Sequence, residues 1–343
     1  MSFRRVYVGN ANGIVLHGSC VAMVRKMEGG EDTAMLSRRR FLSTTAAMGA
    51  ALATQRSQQA IAQVDRRMIV DAQIHLWKAE SDDWKWVPGA QPQLPVPFTI
   101  ERAISMMDEA GVDRAVIVPP SWPGDRNDYA IEAVLRHPAR FRIMGKIPLQ
   151  DPKGAALLPT WKQQPGMVGL RVIFNTPQSQ PWLTDGTVDW LWAAAEKAEL
   201  PIMCFAPPRT AALGRVAERY SGLQLILDHM GVTAAMVRDN TLAEGIAATV
   251  ALAKYPNVSV KVSASPGLSR QPYPFRDVAE HIKRVFDAYG PQRSYWGTDI
   301  TNSYAKASYR QRITQFTEEL SFLSEADKDW VMGRAILQRL RWM

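Results

Sequence analysis

The chain has 343 residues, of which 46% are hydrophobic and 22% charged, a balance typical of a globular protein with a large buried core. Its formal net charge is +8, but residues 1–62 alone carry eight Lys/Arg against three Asp/Glu. The net charge of +3 that remains forms no basic stripe and accompanies no recognised nucleic-acid motif. The composition therefore excludes a polyanion-binding surface, and we expect no nucleic-acid partner.

The basic residues near the amino terminus form a motif. Ser37-Arg-Arg-Arg-Phe-Leu-Ser43 precedes a mildly apolar run, Thr44 to Thr54, and Ala60-Ile-Ala62 offers a peptidase site. This order is similar to a twin-arginine export signal, and the alternative is a basic disordered tail. The apolar run is too short and too rich in alanine for a transmembrane helix. We therefore expect an extension with a signal peptide at 1–62, a folded domain at 63–343, and a periplasmic protein free of the membrane after export.

Apolar strands alternate with helical patterns from residue 68 to residue 322. Each strand is a short apolar run that ends at Gly, Pro or a polar residue, and each helix shows apolar residues three or four apart. The first predicted strand begins at Met68, and the others lie at 114–118, 141–147, 168–174, 202–205, 223–227, 258–262 and 295–297. The predicted helices lie at 99–110, 127–136, 154–163, 187–198, 210–220, 242–254, 276–289 and 304–322.

Eight strand-helix units with apolar strands predict a parallel sheet that is buried on both faces and closed into a (β/α)8 TIM barrel of the α/β class. An open doubly wound sheet is the rival fold, but no Gly-x-Gly-x-x-Gly or Walker sequence follows any strand. An extra helix is predicted at 325–341, across the outside or bottom of the barrel. Cys204 lies in the apolar fifth strand, and we expect a buried, inert thiol there.

In such a barrel the chemistry lies where strands end, so polar residues at these positions are candidates for an active site. Because alternate side chains of a strand share a face, Asp71, Gln73 and His75 are expected to project together. The other polar strand ends of this kind come from strands four, six and eight and are Arg171, His229 and Asp299.

Further candidates flank these positions. Lys146 ends strand three, and Asn175 shares a strand face with Arg171. A Trp/Pro-rich loop at 78–98 contains Trp84, and Trp122 follows strand two. Long ordered loops are usually functional, so the aromatic residues of this loop either form a wall of a substrate pocket or plug the mouth of the barrel. Trp122 is a further candidate for substrate binding.

The strand ends together resemble the motifs of the amidohydrolase-related family. They read Ile-Val-Asp-Ala-Gln-Ile-His75-Leu-Trp, Val-Gly-Leu-Arg171, Leu-Asp-His229-Met-Gly and Tyr-Trp-Gly-Thr-Asp299, and the resemblance covers residues 68–342. The resemblance implies a (β/α)8 barrel fold. The members of this family are hydrolases, which include lactonases, and decarboxylases, and they act with or without a metal.

Two positions depart from the metal-binding form of that family. Gln73 stands where the resemblance implies a first histidine, and strand five runs Met203-Cys-Phe-Ala206 where it implies another. Because a neutral amide is a poor zinc ligand and a phenyl ring is none, we expect that no metal is required. The alternative is one divalent ion, such as zinc, on His75, His229 and Asp299.

Without a metal, the resemblance implies that Asp299 acts as general base on a water, and we expect partial burial to raise its pKa toward a useful value. His75, His229 and the Gln73 amide are then expected to polarise the carbonyl of the substrate.

Arg171 is either a clamp for a substrate carboxylate or a partner of Asp71 or another buried acid. Lys146 and Lys261 add positive charge if they point inward, which favours a small anionic substrate. We therefore expect a hydrolase of a small, carboxylate-bearing lactone or ester. A decarboxylase of an aromatic or unsaturated acid and a non-catalytic binding barrel stay open as alternatives, and so does assembly into a homo-oligomer.

Overall fold

The computed structural model describes residues 66–342, and the predicted export signal lies outside them. The eight strands are β1 Val70–Ile74, β2 Arg114–Ile117, β3 Phe141–Gly145, β4 Met167–Ile173, β5 Ile202–Phe205, β6 Leu225–Leu227, β7 Val258–Ser263 and β8 Ser294–Gly297. Each strand pairs in parallel with the next in chain order. The backbone N–H of Asp299, just after β8, donates to the Gln73 carbonyl of β1 at 3.0 Å. The sheet therefore forms a nearly closed (β/α)8 barrel, as predicted.

Helices fill the connections between the strands. The α-helices span Ile100–Ala110, Asp128–Arg136, Asp189–Lys197, Leu213–Arg219, Ala234–Arg238, Leu242–Ala251, Ser265–Leu268, Arg276–Tyr289, Tyr309–Thr314, Glu325–Asp329 and Ala335–Arg339. Among residues 66–342, none of the helices has the length and the apolar character needed to cross a membrane.

Two of the predicted helices differ from the structure. The connection after β3 is a 3₁₀ helix, Pro152–Gln163, and Pro159, which disfavours the interior of an α-helix, lies inside it. The predicted helix at 304–322 is broken: the chain forms a 3₁₀ turn at Ile300–Lys306 and an α-helix only from Tyr309. Ser308 caps that helix through a capping box with Gln311, which explains where it begins.

The amino-terminal end of the barrel is closed by the last residues of the described chain. Val70, Met144 and Tyr295 project into the barrel interior and pack in one apolar cluster with Ile336 and Trp342. The predicted carboxyl-terminal helix is thus present, in consecutive segments with a π-helical turn between them, and it lies across the bottom of the barrel. This cluster closes only the amino-terminal end of the barrel, so the opposite end, where the strands finish, is open for a site.

An irregularity in β1 separates side chains that regular alternation would group together. The pairing register of β1 with β2 shifts between Asp71 and Ile74. The Asp71 carboxylate accepts hydrogen bonds from the Thr298 amide at 2.8 Å and the Tyr309 hydroxyl at 2.7 Å, between β8 and the helix after it. The prediction that Asp71 shares a face with Gln73 and His75 is therefore wrong, because a bulge changes which side a residue faces.

Candidate active site

A cavity of about 630 Å³ lies at the carboxyl ends of the strands. Of the nine predicted site residues, the structure brings eight to its wall: Gln73, His75, Trp122, Lys146, Arg171, Asn175, His229 and Asp299. They come from six different strands or the loops after them, as a barrel mouth allows.

Two of the strand ends turn through the left-handed region of backbone conformation. His229 has φ 51° and Asp299 has φ 45°, although neither is glycine. Such conformations cost about 1–3 kcal/mol each and cluster at functional sites. Here each turn follows directly on its strand and holds the side chain at the cavity instead of along the strand direction.

The side chains from β1, β6 and β8 meet at the floor of the cavity. His75 Nε2 lies 3.1 Å from Asp299 Oδ1, and His229 Nε2 lies 3.5 Å from Asp299 Oδ2. The Gln73 amide nitrogen lies 3.3 Å from His75 Nε2 and 3.2 Å from His229 Nε2. All four residues are at least 95% buried. One carboxylate, two imidazoles and one amide therefore share a small volume with little access to solvent.

The hydrogen bonds at the far nitrogens of the imidazoles decide where their protons lie. His75 Nδ1 is 2.6 Å from the Val118 carbonyl, which can only accept, so Nδ1 carries a proton. In a neutral His75 the Nε2 atom then carries no proton, and its lone pair faces the Asp299 carboxylate. The contact between Nε2 and Oδ1 becomes favourable when a proton lies between these two atoms. His229 Nδ1 is 2.8 Å from the Ser263 hydroxyl. With Nδ1 protonated, His229 Nε2 can accept from the Gln73 amide.

A buried network of charges fixes the orientation of the Gln73 amide. The Lys261 ammonium donates to Gln73 Oε1, so the amide NH₂ must face the two imidazoles. Lys261 Nζ also lies 2.6 Å from Asp228 Oδ1, and Arg171 Nε donates to Asp228 Oδ2 at 3.2 Å. Burial lowers the pKa of Lys261, whereas Lys261 and Arg171 outweigh burial and hold the pKa of Asp228 below its ordinary value. Arg171 thus pairs with a buried acid and lines the cavity as well.

The ionisation of Asp299 differs from the expectation. Burial by itself raises the pKa of this carboxyl, but the imidazoles of His229 and His75 and the Asn302 amide outweigh burial and hold the pKa well below its ordinary value. The prediction of a raised pKa is therefore wrong. Burial lowers the pKa of His229 to about 4, so this imidazole is neutral at neutral pH. The floor of the cavity consequently holds an ionised carboxylate beside a neutral imidazole.

The donor atoms do not fit a zinc ion as they are arranged. Zinc would need the Nε2 lone pairs of His75 and His229, and the Gln73 NH₂ faces both of them. The Lys261 ammonium keeps the amide oxygen turned away, and strand five contributes the ring of Phe205. Within residues 66–342, no three His, Cys, Asp or Glu side chains are grouped so that they could hold a metal ion.

One wall of the cavity is cationic. Lys146 is 8% exposed and donates to the Gly124 carbonyl at 2.9 Å, and Asp125 lies 3.6 Å from its ammonium. Burial lowers the pKa of Lys146 to about 8, although Asp125 opposes that shift. Arg171 follows on the next strand, and Asn175 stands exposed at the rim above it. The wall is therefore suited to an anionic group on a ligand.

The two predicted tryptophans behave differently. Trp122 lines the cavity and packs edge-on against Trp77, with ring centroids 4.9 Å apart. Trp84 does not line it: its ring packs against Tyr129, and its indole N–H donates to Asp128 at 3.2 Å. Trp84 is therefore corrected from a pocket residue to a packing residue that anchors the loop after β1.

Two contributors to the site were missed in the sequence. Asn302 donates to Asp299 Oδ2 at 3.1 Å, and Asp228 joins the cations of β4 and β7. Asn302 stands three residues after Asp299, and Asp228 stands beside His229, so a turn-forming polar cluster after each strand was the available signal. Cys204 is buried and free, and burial raises the pKa of its thiol, in agreement with an inert residue.

Comparisons with known proteins place the chain among barrels of this kind. It is 24% identical over 234 residues to the L-fucono-1,5-lactonase of Burkholderia ambifaria, and the aligned region covers 67% of this chain and 79% of that protein. It is 26% identical over 231 residues to the 4-sulfomuconolactone hydrolase of Hydrogenophaga intermedia, with 65% of this chain and 69% of that protein covered.

The fold also matches a solved structure. An amidohydrolase from Burkholderia multivorans, crystallised with bound zinc, superposes with a TM-score of 0.68 at 20% identity over 80% of this chain and 99% of that one. The sequence model of the amidohydrolase family matches residues 70–336, which include every strand of the barrel and the groups at its mouth. The chain therefore belongs to the amidohydrolase family and is an enzyme of the hydrolase class.

Proposed function

We propose that the enzyme opens a small, carboxylate-bearing lactone by adding water to the lactone carbonyl. The observation that carries this proposal is the ionised Asp299 carboxylate, held within 3.5 Å of two imidazoles below a wall formed by Lys146 and Arg171. The names of the curated relatives from Burkholderia ambifaria and Hydrogenophaga intermedia support it, since both denote hydrolysis of a lactone.

The proposed reaction needs one base and one proton donor. A water oxygen bonds to the carbonyl carbon while Asp299 takes the proton of that water, and the carbonyl oxygen becomes an oxyanion. The bond from this carbon to the ring oxygen then breaks, and the ring oxygen takes up a proton, which gives a hydroxy acid. His75 Nε2, 3.1 Å from Asp299, takes the proton that Asp299 has removed from the water and delivers it to the leaving ring oxygen.

Gln73 holds the two imidazoles in place for this step. Its NH₂ group contacts both Nε2 atoms, so it orients the rings instead of contacting the carbonyl itself. His229 in its neutral form accepts from Gln73 and packs edge-on against Phe205, with centroids 5.4 Å apart. We assign His229 to positioning Asp299 and excluding water on that side.

We further propose that the reaction requires no metal ion. The support for this is the chemistry of the donor set, in which an amide NH₂ faces the lone pairs that zinc would need and an ammonium holds the amide in that orientation. The buried cations Lys261 and Arg171 already supply positive charge beside the reacting groups.

The test is hydrolysis of a panel of γ-butyrolactones, with and without a ring carboxylate, followed by pH-stat in the presence and absence of a chelator. We expect acid release that the chelator leaves unchanged. Asp299→Asn should lower kcat by roughly 10²–10⁴-fold, because it removes the general base. Asp189→Asn, at an exposed position in the first turn of a helix, is the matched control and should keep full activity.

Other outcomes would contradict the proposal in distinct ways. Loss of activity with chelator, together with stoichiometric zinc in the purified protein, would overturn the metal-free part. Uptake of protons with release of carbon dioxide from an aromatic or unsaturated acid would favour the decarboxylase. Tight binding of a lactone without turnover, unchanged in Asp299→Asn, would identify a binding barrel.

A further inference from the structure

A second cavity, also of about 630 Å³, adjoins the first at the mouth of the barrel. We refer to the cavity with Lys146 and Arg171 as the polar lobe and to this one as the apolar lobe. The two lobes share five wall residues, which are Gln93, Asn175, Phe205, His229 and Asn302. His229 therefore faces both lobes, whereas Gln73, His75 and Asp299 line the polar lobe alone.

The two lobes differ in chemical character. The polar lobe contains the charged groups of Asp125, Lys146, Arg171 and Asp299. The apolar lobe is walled largely by small and aliphatic side chains, which are Leu94, Val232, Ala234, Ala235, Ala264 and Leu268. Of the described residues that line the apolar lobe, Lys306 alone is charged at neutral pH, and its ammonium donates to the Ser269 carbonyl at 3.1 Å. The polar lobe thus offers an anionic group two buried cations, Lys146 and Arg171, whereas the apolar lobe offers only the exposed Lys306.

Phe205 and His229 set the boundary between the lobes. The ring of Phe205 lies edge-on to His229 and also lies 5.9 Å from the Arg171 guanidinium. A ligand whose carboxylate meets Lys146 and Arg171, and whose carbonyl lies at Asp299, can extend its remaining part past His229 into the apolar lobe, because His229 lines both lobes. The asymmetry of charge fixes this direction, because the reverse placement would bury a carboxylate among aliphatic groups.

We propose that the apolar lobe is a binding site for an uncharged, hydrocarbon substituent of the substrate, on the side of the scissile carbonyl opposite to the carboxylate. The inference rests on the proposed lactone hydrolysis and extends it. The substrate class is an amphiphilic lactone with an anionic group at one end and an alkyl or aryl group at the other.

The experiment compares carboxylate-bearing γ-butyrolactones that carry hydrogen, propyl or hexyl on the ring carbon away from the carboxylate. Each methylene that enters the apolar lobe should raise kcat/KM by roughly fourfold, as burial of a CH₂ group predicts. Ala235→Phe adds a ring inside the lobe and should abolish the advantage of the hexyl over the unsubstituted lactone, while hydrolysis of the unsubstituted lactone continues. Ala247→Phe, at an exposed position on the helix Leu242–Ala251, is the control for the added ring and should keep the advantage.

The results distinguish failure of the apolar-lobe assignment from failure of the proposed lactone hydrolysis. Equal kcat/KM for all three lactones, or a hexyl advantage that survives in Ala235→Phe, would overturn the apolar-lobe assignment and leave lactone hydrolysis standing. Hydrolysis of none of them would overturn the proposed function and this inference together.

Discussion

Individual residues at the site balance one another's charge. Asp228 lies between two cations, Lys261 and Arg171, and all three are at least 92% buried. Lys146 adds a third buried cation and Asp299 a second buried carboxylate, and the exposed Asp125 lies 3.6 Å from the Lys146 ammonium. The buried cations of the cavity outnumber its buried carboxylates, and this is an electrostatic reason to expect a carboxylate on the substrate.

The titration of Lys146 should make kcat/KM depend on pH. Its pKa is lowered to about 8, mainly by burial, with Arg171 also lowering it and Asp125 opposing both. Lysine is charged below its pKa, so its attraction for a substrate carboxylate is present at pH 7 and is lost as the pH rises through 8. We therefore expect kcat/KM for a carboxylate-bearing lactone to fall above pH 8, after correction for spontaneous hydrolysis.

Two comparisons check this assignment. A lactone without a carboxylate should show no such alkaline fall, and Lys146→Arg, which stays charged, should remove the fall while keeping activity. An unchanged alkaline limb in Lys146→Met would assign the titration to another group.

At the scale of elements, the strand ends are shaped by short left-handed turns. After β6 the residues His229, Met230 and Gly231 all have positive φ, and the Thr249 hydroxyl donates to the Met230 carbonyl at 2.7 Å to hold this turn. The turn places the His229 ring against Phe205 and Ser263. The position of the imidazole therefore depends on how closely this turn packs on the helix Leu242–Ala251.

Gly231→Ala tests that dependence. At φ +67° an added Cβ would overlap the Thr249 hydroxyl and lie 2.9 Å from Thr210 Cγ2, so the turn must shift. We expect the free energy of unfolding to fall by about 1–3 kcal/mol, the usual cost of such strain, and kcat/KM to fall with it. Urea denaturation and the lactone assay measure the two effects.

Gly186→Ala is the matched control for this change. Gly186 has φ +92°, but no atom lies within 4 Å of an added Cβ, so the variant suffers backbone strain without a clash. It should keep full activity. Equal loss of activity in both variants would show that the packing of the turn against Thr249 does not position His229.

At the scale of the whole molecule, Asp71 joins the first strand of the barrel to the last. Its buried carboxylate accepts from the backbone N–H groups of Gln73 and Thr298 and from the hydroxyls of Thr298 and Tyr309. These bonds span more than 220 residues of sequence, from β1 to the helix Tyr309–Thr314. They stabilise the closed barrel beneath the catalytic floor.

Tyr309→Phe should weaken this closure. It removes one hydrogen bond to a fully buried carboxylate, which typically costs about 1.5–3 kcal/mol of the free energy of unfolding. Guanidinium denaturation measures the loss. Tyr304→Phe, which removes a hydroxyl that contacts the Met106 sulfur at 3.8 Å, is the control and should cost much less. An equal loss in both would mean that Asp71 does not join the barrel through Tyr309.

The amino-acid sequence by itself determined the architecture. All seven strands for which bounds were predicted, from 114–118 to 295–297, lie within two residues of those observed, because strands buried on both faces leave continuous apolar runs. The same pattern placed His75, Arg171, His229 and Asp299 at strand ends, where a barrel gathers them.

Only the tertiary structure decided how those groups act. The bulge in β1 moved Asp71 away from the site, the imidazoles outweighed burial at Asp299, and the packing against Tyr129 removed Trp84 from the cavity. Each outcome depends on neighbours that are distant in sequence. Local periodicity shows which face of a strand is apolar, whereas the pKa and orientation of a buried polar group depend on the few charges and hydrogen bonds that surround it in three dimensions.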